Sequence, residues 1–168
     1  MTKFEQQVKT TATRAALEAG KILIENLQTS SQRQISSKAQ FDFVTEVDLA
    51  SEKTIIEQIK QDFPDHDIFA EEQGSDQRRS EFLWIIDPLD GTTNYIHKYP
   101  AFSISIALKQ ANEITFGLIY DPQRQEIFHA FKNKGAFMNE QPIHTSSQPL
   151  FQKALFATGF PFRDKSKI

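Results

Sequence analysis

Apolar residues recur at three- and four-residue intervals along the start of the chain: Phe4, Val8, Ala12, Ala15, Ala19, Leu23 and Leu27. That spacing predicts an amphipathic helix over residues 4–27, with a narrow, alanine-rich stripe suited to close packing. The polar stretch at 29–40 carries too little apolar surface to join a core and predicts a loop or flap. A second helix is expected from about Asp48 to Asp62, burying Leu49, Ile55, Ile56 and Ile59, with Pro64 in the turn that ends it.

Beyond Pro64 the period changes. Residues 67–70 and 82–86 are short apolar runs that lead directly into acidic residues, and they read as strands whose ends present carboxylates. Three longer strands follow at 102–108, 114–120 and 126–131, separated by loop signals at 110–112 and at Asp121-Pro122. Sequential antiparallel pairing is the simplest arrangement for them. Residues 133–135 predict a turn into 136–138, and 139–142 a further turn before Ile143. A last apolar segment, 154–157, stops at Gly159, Phe160 and Pro161. Helices followed by a mostly antiparallel sheet define an α+β layered fold, two N-terminal helices packed on the sheet. Residues 1–158 are assigned to one domain and 159–168 to a linker or the start of a second.

Composition narrows the chemistry. With 168 residues the chain can bury one sizeable core. Its 19 basic and 22 acidic residues leave no broad positive surface, which argues against a strong nonspecific polyanion binder and gives no clear nucleic-acid signal. The chain has no cysteine, so a metal must be held by oxygen or imidazole. The first ten residues contain no apolar signal-peptide core, and no run approaches bilayer length; the expected location is cytoplasmic, with no membrane partner. Phenylalanine, at 15 residues against one tryptophan and three tyrosines, points to core packing rather than a base-stacking platform.

The most informative segment is Trp84-Ile85-Ile86-Asp87-Pro88-Leu89-Asp90-Gly91-Thr92-Thr93-Asn94. A buried strand delivers Asp87 at its end, and Pro88 stiffens the exit while removing a backbone donor. Asp87 and Asp90 can converge on one hard cation, for which magnesium is suited because it takes oxygen ligands and keeps exchangeable waters. The Leu89 carbonyl is a further candidate ligand. Gly91 permits a tight bend, and Thr92, Thr93 and Asn94 favour a helix start whose free amides can hold phosphate oxygens. Local physics alone also allows an Asp-Pro turn and capped helix with merely solvated carboxylates.

Glu71 and Glu72 follow the strand at 67–70. Neighbours on an extended chain point to opposite sides, so one of them can face a shared metal. Glu71 is the choice, with Glu72 more exposed or supporting; a charged pair on a polar loop is the alternative. Asp48 stands at a helix start, where it either caps the helix or orients a threonine hydroxyl and accepts its proton. Lys38 and Asp42 are weaker candidates. His66, His97, His129 and His144 form no close ligand pattern and read as structural or surface groups. Walker A, dinucleotide-binding glycine and Gly-x-Ser-x-Gly signatures are absent from the sequence.

On these residues the chain resembles the magnesium-dependent, lithium-sensitive inositol monophosphatases. The match is to their Asp-Pro-(Ile/Leu)-Asp-Gly-Thr-x-Asn segment, here residues 87–94. It is supported by Val44-Thr45-Glu46-Val47-Asp48 with Glu52, by Ala70-Glu71-Glu72, and by Lys38 with Asp42. Residues 117–122, 134–139 and 158–161 look like further family segments, and Ala70 stands where a glycine is usual.

The resemblance implies the first domain of the inositol monophosphatase / fructose-1,6-bisphosphatase fold. It implies that Glu71, Asp87, Asp90 and the Leu89 carbonyl bind magnesium. It also implies that Asp48 and Thr92 activate water with help from Glu71, and that the amides of Gly91 and Thr92 receive the phosphate. The implied reaction is hydrolysis of a small phosphorylated substrate, inositol monophosphate first, by an intact homodimer. Related substrates are fructose bisphosphate, a 3′-phosphonucleotide, histidinol phosphate or a dinucleotide phosphate. Family members usually continue into a second α/β unit with a late Trp-Asp segment, so the chain reads as a first domain or truncated member. A weakly active metal-binding fragment, or a role in an RNA-processing or transcription complex, are the competing expectations.

Overall fold

A computed structural model describes residues 1–29, 36–39, 42–44, 46–71, 74–75, 80–147 and 151–155. The chain opens with helix α1 (Lys3–Thr29), followed by strands β1 (Ser36–Ala39) and β2 (Asp42–Val44) and by helix α2 (Glu46–Asp62). Strands β3 (Asp67–Ala70), β4 (Gly74–Ser75) and β5 (Phe82–Asp90) lead to the short helix α3 (Thr92–Ile96). Strands β6 (Ser103–Gln110), β7 (Glu113–Asp121), β8 (Glu126–Phe131), β9 (Ala136–Met138) and β10 (Gln141–Ile143) complete the sheet, before a single 3-10 turn at Phe151–Lys153.

Eight strands form one sheet in the order β10-β9-β8-β7-β6-β5-β3-β4. Every pairing is antiparallel except β3 with β5. The expected α+β layering is therefore present, with sequential antiparallel pairing from β5 to β10. The stripe of α1 explains its docking: Val8, Ala12, Ala15, Ala16, Ala19 and Leu23 are fully buried. Small side chains bring the helix axis close to the sheet, to the point that a Cβ on Gly20 would lie 2.4 Å from the Tyr120 ring. Across the helix pair, Thr11 Oγ1 and Arg14 both donate to the Asp62 carboxylate, holding α1 to α2. Ile104, Ile106, Leu108, Phe116 and Leu118, each almost fully buried, form the sheet side of this core.

Several expectations need correction. The polar stretch at 29–40 contains β1, which pairs with β2 in a small antiparallel hairpin, because strand pairing there requires no apolar face. Helix α2 begins at Glu46, so Asp48 lies in its first turn instead of capping it. The stripe then runs through Val47, Asp48, Ser51, Glu52, Ile55 and Ile59, and Leu49 turns outward with 45% exposure. Strand β5 continues through Pro88 to Asp90, where a register shift absorbs the proline. Only residues 139–140 form the last turn, and Pro142 sits within β10 at the sheet edge, where a strand lacks one set of partners anyway. Of the segment 154–157, the first two residues have no regular structure; 156–157 and the assigned linker 159–168 lie outside the described residues. No helix among the described residues is long and apolar enough to cross a membrane.

Candidate active site

The one parallel pairing among the described residues places the candidate site. Ala70 is registered with Ile86, so the next residues along the two strands are Glu71 and Asp87. The Glu71 N–H donates to the Ile86 carbonyl at 3.3 Å, carrying the ladder one step past the end of β3. Pleating fixes the side: Ile68, Ala70, Trp84 and Ile86 are buried, while Phe69, Ile85 and Asp87 alternate with them. Glu71 and Asp87 therefore emerge together on the face away from the core helices.

The Asp87 carboxyl is pushed up to about 7 by burial first, then by the negative charges of Glu71 and Asp90 and a hydrogen bond with Glu71. The Leu89 N–H donates to Asp87 Oδ1 at 3.1 Å and works in the opposite direction. Three acids from two strand ends are thus drawn into mutual repulsion, the condition that a hard, oxygen-seeking cation relieves. Among the described residues, no group of three or more histidine, aspartate or glutamate side chains stands already arranged to hold a metal ion. Their chemistry fits one: acidic oxygen donors beside a backbone carbonyl, with the Asp87 carboxyl pushed up by burial and by the charges of Glu71 and Asp90.

The turn after β5 is tightly specified. Gly91 adopts φ 90°, in the left-handed region, and an added Cβ would stand 2.9 Å from the Ala101 carbonyl oxygen. Helix α3 follows, its first intrahelical bond running from the Tyr95 N–H to the Gly91 carbonyl at 3.0 Å. The Thr92 amide precedes that bond and so lacks an intrahelical acceptor. Thr92 Oγ1 donates to the Leu89 carbonyl at 2.9 Å. The hydroxyl's single proton is therefore directed at the expected ligand carbonyl, and engaging Asp48 requires it to turn. Asp48 itself is buried, at 4% exposure, on α2. A cleft of about 350 Å3 opens beside Asp90, bordered by Gly91, Asn94, Ser103, Ile119 and Asp121.

Glu72 lies outside the described residues, as do the side chains of Lys38 and Asp42. Two histidines have structural surroundings. His66 stacks between Phe63 and Phe82 and accepts the Trp84 Nε1–H at its Nδ1, 3.1 Å away. Burial lowers its pKa, with Lys60 adding to the shift. His129 is buried against Phe137, its Nε2 3.4 Å from a Glu140 oxygen. His97 and His144 are exposed. Sequence reasoning missed Ser51, a fully buried residue on α2 whose hydroxyl donates to the Pro88 carbonyl at 3.0 Å. Its signal was a small polar residue on the stripe that also holds Ile55.

A mostly antiparallel sheet backed by two helices, with acids gathered at adjacent strand ends, defines a layered α+β protein with a candidate cation-binding site. Residues 5–168 match the pattern of the Inositol monophosphatase family, and the chain belongs to that family. It is 42% identical over 153 residues to the Nus factor SuhB of Haemophilus influenzae, covering 90% of this chain and 57% of that protein. The structure of the inositol monophosphatase from Anabaena (Nostoc) sp. PCC 7120 superposes with a TM-score of 0.74 at 41% identity, covering 87% of this chain and 52% of the other. An inositol monophosphatase II from Staphylococcus aureus MSSA476 gives a TM-score of 0.67 at 28% identity, over 81% of this chain and 50% of its own. The chain thus spans little more than half the length of these relatives.

Proposed function

We propose that the protein hydrolyses a small phosphate monoester, inositol monophosphate first, at the acidic cluster where β3 and β5 end. The observation that carries this reading is the parallel pairing of Ala70 with Ile86, which sets Glu71 beside Asp87 and gathers acids from separate strands. In this reading Glu71, Asp87, Asp90 and the Leu89 carbonyl hold magnesium. When bound, magnesium supplies charge neutralisation at the phosphoryl group and activation of water. The amides of Gly91 and Thr92 receive phosphate oxygens. Glu71 and the Thr92–Asp48 pair take up the proton of the attacking water, Thr92 first leaving the Leu89 carbonyl. Attack at phosphorus breaks the ester bond, the departing oxygen takes a proton from solvent water and leaves as the alcohol, and no phosphoenzyme is needed.

Residues 1–158 would form the metal- and phosphate-binding unit, within a cytoplasmic homodimer when the protein is intact. The test is phosphate release by the full-length protein, with and without magnesium. The substrates are inositol monophosphate, fructose bisphosphate, a 3′-phosphonucleotide and histidinol phosphate, with Asp90→Asn as control. Magnesium-dependent release that drops about 100-fold or more in the variant is expected, as for loss of a group acting in the transition state. Release that ignores both magnesium and the substitution would discard the proposal.

The Haemophilus influenzae relative, called a Nus factor, favours a second reading in which the chain acts through an assembly. Capture of partners unchanged by Asp87→Asn and Asp90→Asn would support that role over catalysis.

A further inference from the structure

The end of β5 leaves a buried carbonyl to be accounted for. Asp87 pairs with Ser105 and Asp90 with Ser103, so Pro88 and Leu89 together oppose the single residue Ile104. Both bulged residues are buried. Their carbonyls have lost the regular ladder, and a buried carbonyl without a donor is costly. The Leu89 carbonyl is served from within the turn, by Thr92. The Pro88 carbonyl is served from another element, by Ser51 Oγ on α2 at 3.0 Å.

That difference matters for position. The Leu89-to-Asp87 and Thr92-to-Leu89 bonds shape the turn but travel with it. The Ser51 bond fastens it to the helix that carries Asp48, three residues earlier on the same buried stripe. We propose that Ser51 is a positioning residue: its hydroxyl pins the turn at 87–92 to α2 and so fixes Asp87 and Asp90 relative to Asp48. The proposal rests on the reading of the acidic cluster as the magnesium site.

The test compares Ser51→Ala with Thr11→Ala, which also removes a fully buried hydroxyl that bridges two elements but lies away from the turn. Amide hydrogen exchange is followed in the protein without magnesium. Exchange within 86–94 is expected to rise about tenfold in Ser51→Ala, the size of one lost hydrogen bond, and to stay unchanged there in Thr11→Ala. Magnesium titration, read by calorimetry, should show affinity about tenfold weaker in Ser51→Ala and within about twofold of the parent in Thr11→Ala. Unchanged or uniformly raised exchange overturns the proposal, as does local loosening with unaltered magnesium affinity. A parent protein that binds no magnesium sinks the reading of the cluster, while the exchange pattern still decides whether Ser51 holds the turn.

Discussion

Adjacent residues of β6 and β7 meet opposite surroundings. Ile104, Ile106, Leu108, Phe116, Leu118 and Tyr120 lie in the core shared with the helices. Their neighbours Ser105, Ala107, Gly117 and Ile119 look outward and, with Phe128 and Ala130, line a shallow apolar groove of about 320 Å3. Ile119 is 48% exposed and Phe69, on the same side, 40%. This outer side carries small and apolar groups where a water-facing antiparallel sheet usually alternates to polar ones. At its β3–β5 end it also carries the acids. The apolar core thus lies on the helix side and the strand-end acids Glu71 and Asp87 on the other, with Asp48 and Ser51 of α2 reaching the site from the helix side, a division that substitutions can test.

The largest contrast is expected between sequence neighbours. Leu118→Ala, on the covered side, should cost about 3 kcal/mol in urea unfolding, the usual range for a buried leucine. Ile119→Ala should cost under about 1 kcal/mol, since half its surface already meets water. Equal losses would mean that the outer side is packed in solution. Gly20→Ala should destabilise by about 1–2 kcal/mol, although alanine favours a helix, because its Cβ collides with Tyr120. A double-mutant cycle with Tyr120→Ala should recover most of that loss.

Acidity should act with opposite sign on the two sides. The folded-state value of Asp87 is raised to about 7, so its contribution is fully present below the ordinary carboxylate range and is lost as pH rises through that value. Without magnesium, thermal melts should therefore show Asp87→Asn relatively more stable than the parent at pH 8 than at pH 5. Saturating magnesium should narrow the gap. His66 is lowered, so its contribution is present above about 6.5 and is lost as pH falls through the folded value. Protonating Nδ1 also removes the acceptor used by Trp84. In an Asp87→Asn background, where the opposing shift is absent, the smallest effect, a modest fall in melting temperature between pH 7.5 and 5.5, should flatten on adding His66→Phe.

Much of this division can be read from the chain, and the exceptions have physical causes. Strands β3, β8 and β9 fall where alternation and turn residues put them, and the stripe of α1 names its buried face. The acids Glu71, Asp87 and Asp90 stand out because each follows an apolar run or a proline. Their approach to one another is not legible locally: it depends on β3 and β5 pairing in parallel, a contact between segments that no turn connects. The β1–β2 hairpin escaped because its residues lack an apolar period, and β10 because Pro142 resembles a turn residue. Leu49 misled for another reason. Hydrophobicity marks the stripe only while the stripe is apolar, and the first half of α2 spends its buried positions on Asp48, Ser51 and Glu52.

Gly91 carries a consequence for anyone who would re-engineer the molecule. Its backbone angle and the nearby Ala101 oxygen independently reject a side chain. A library randomised at that codon and screened for folded product should return one amino acid, leaving variation at the candidate site to be sought elsewhere around the cleft.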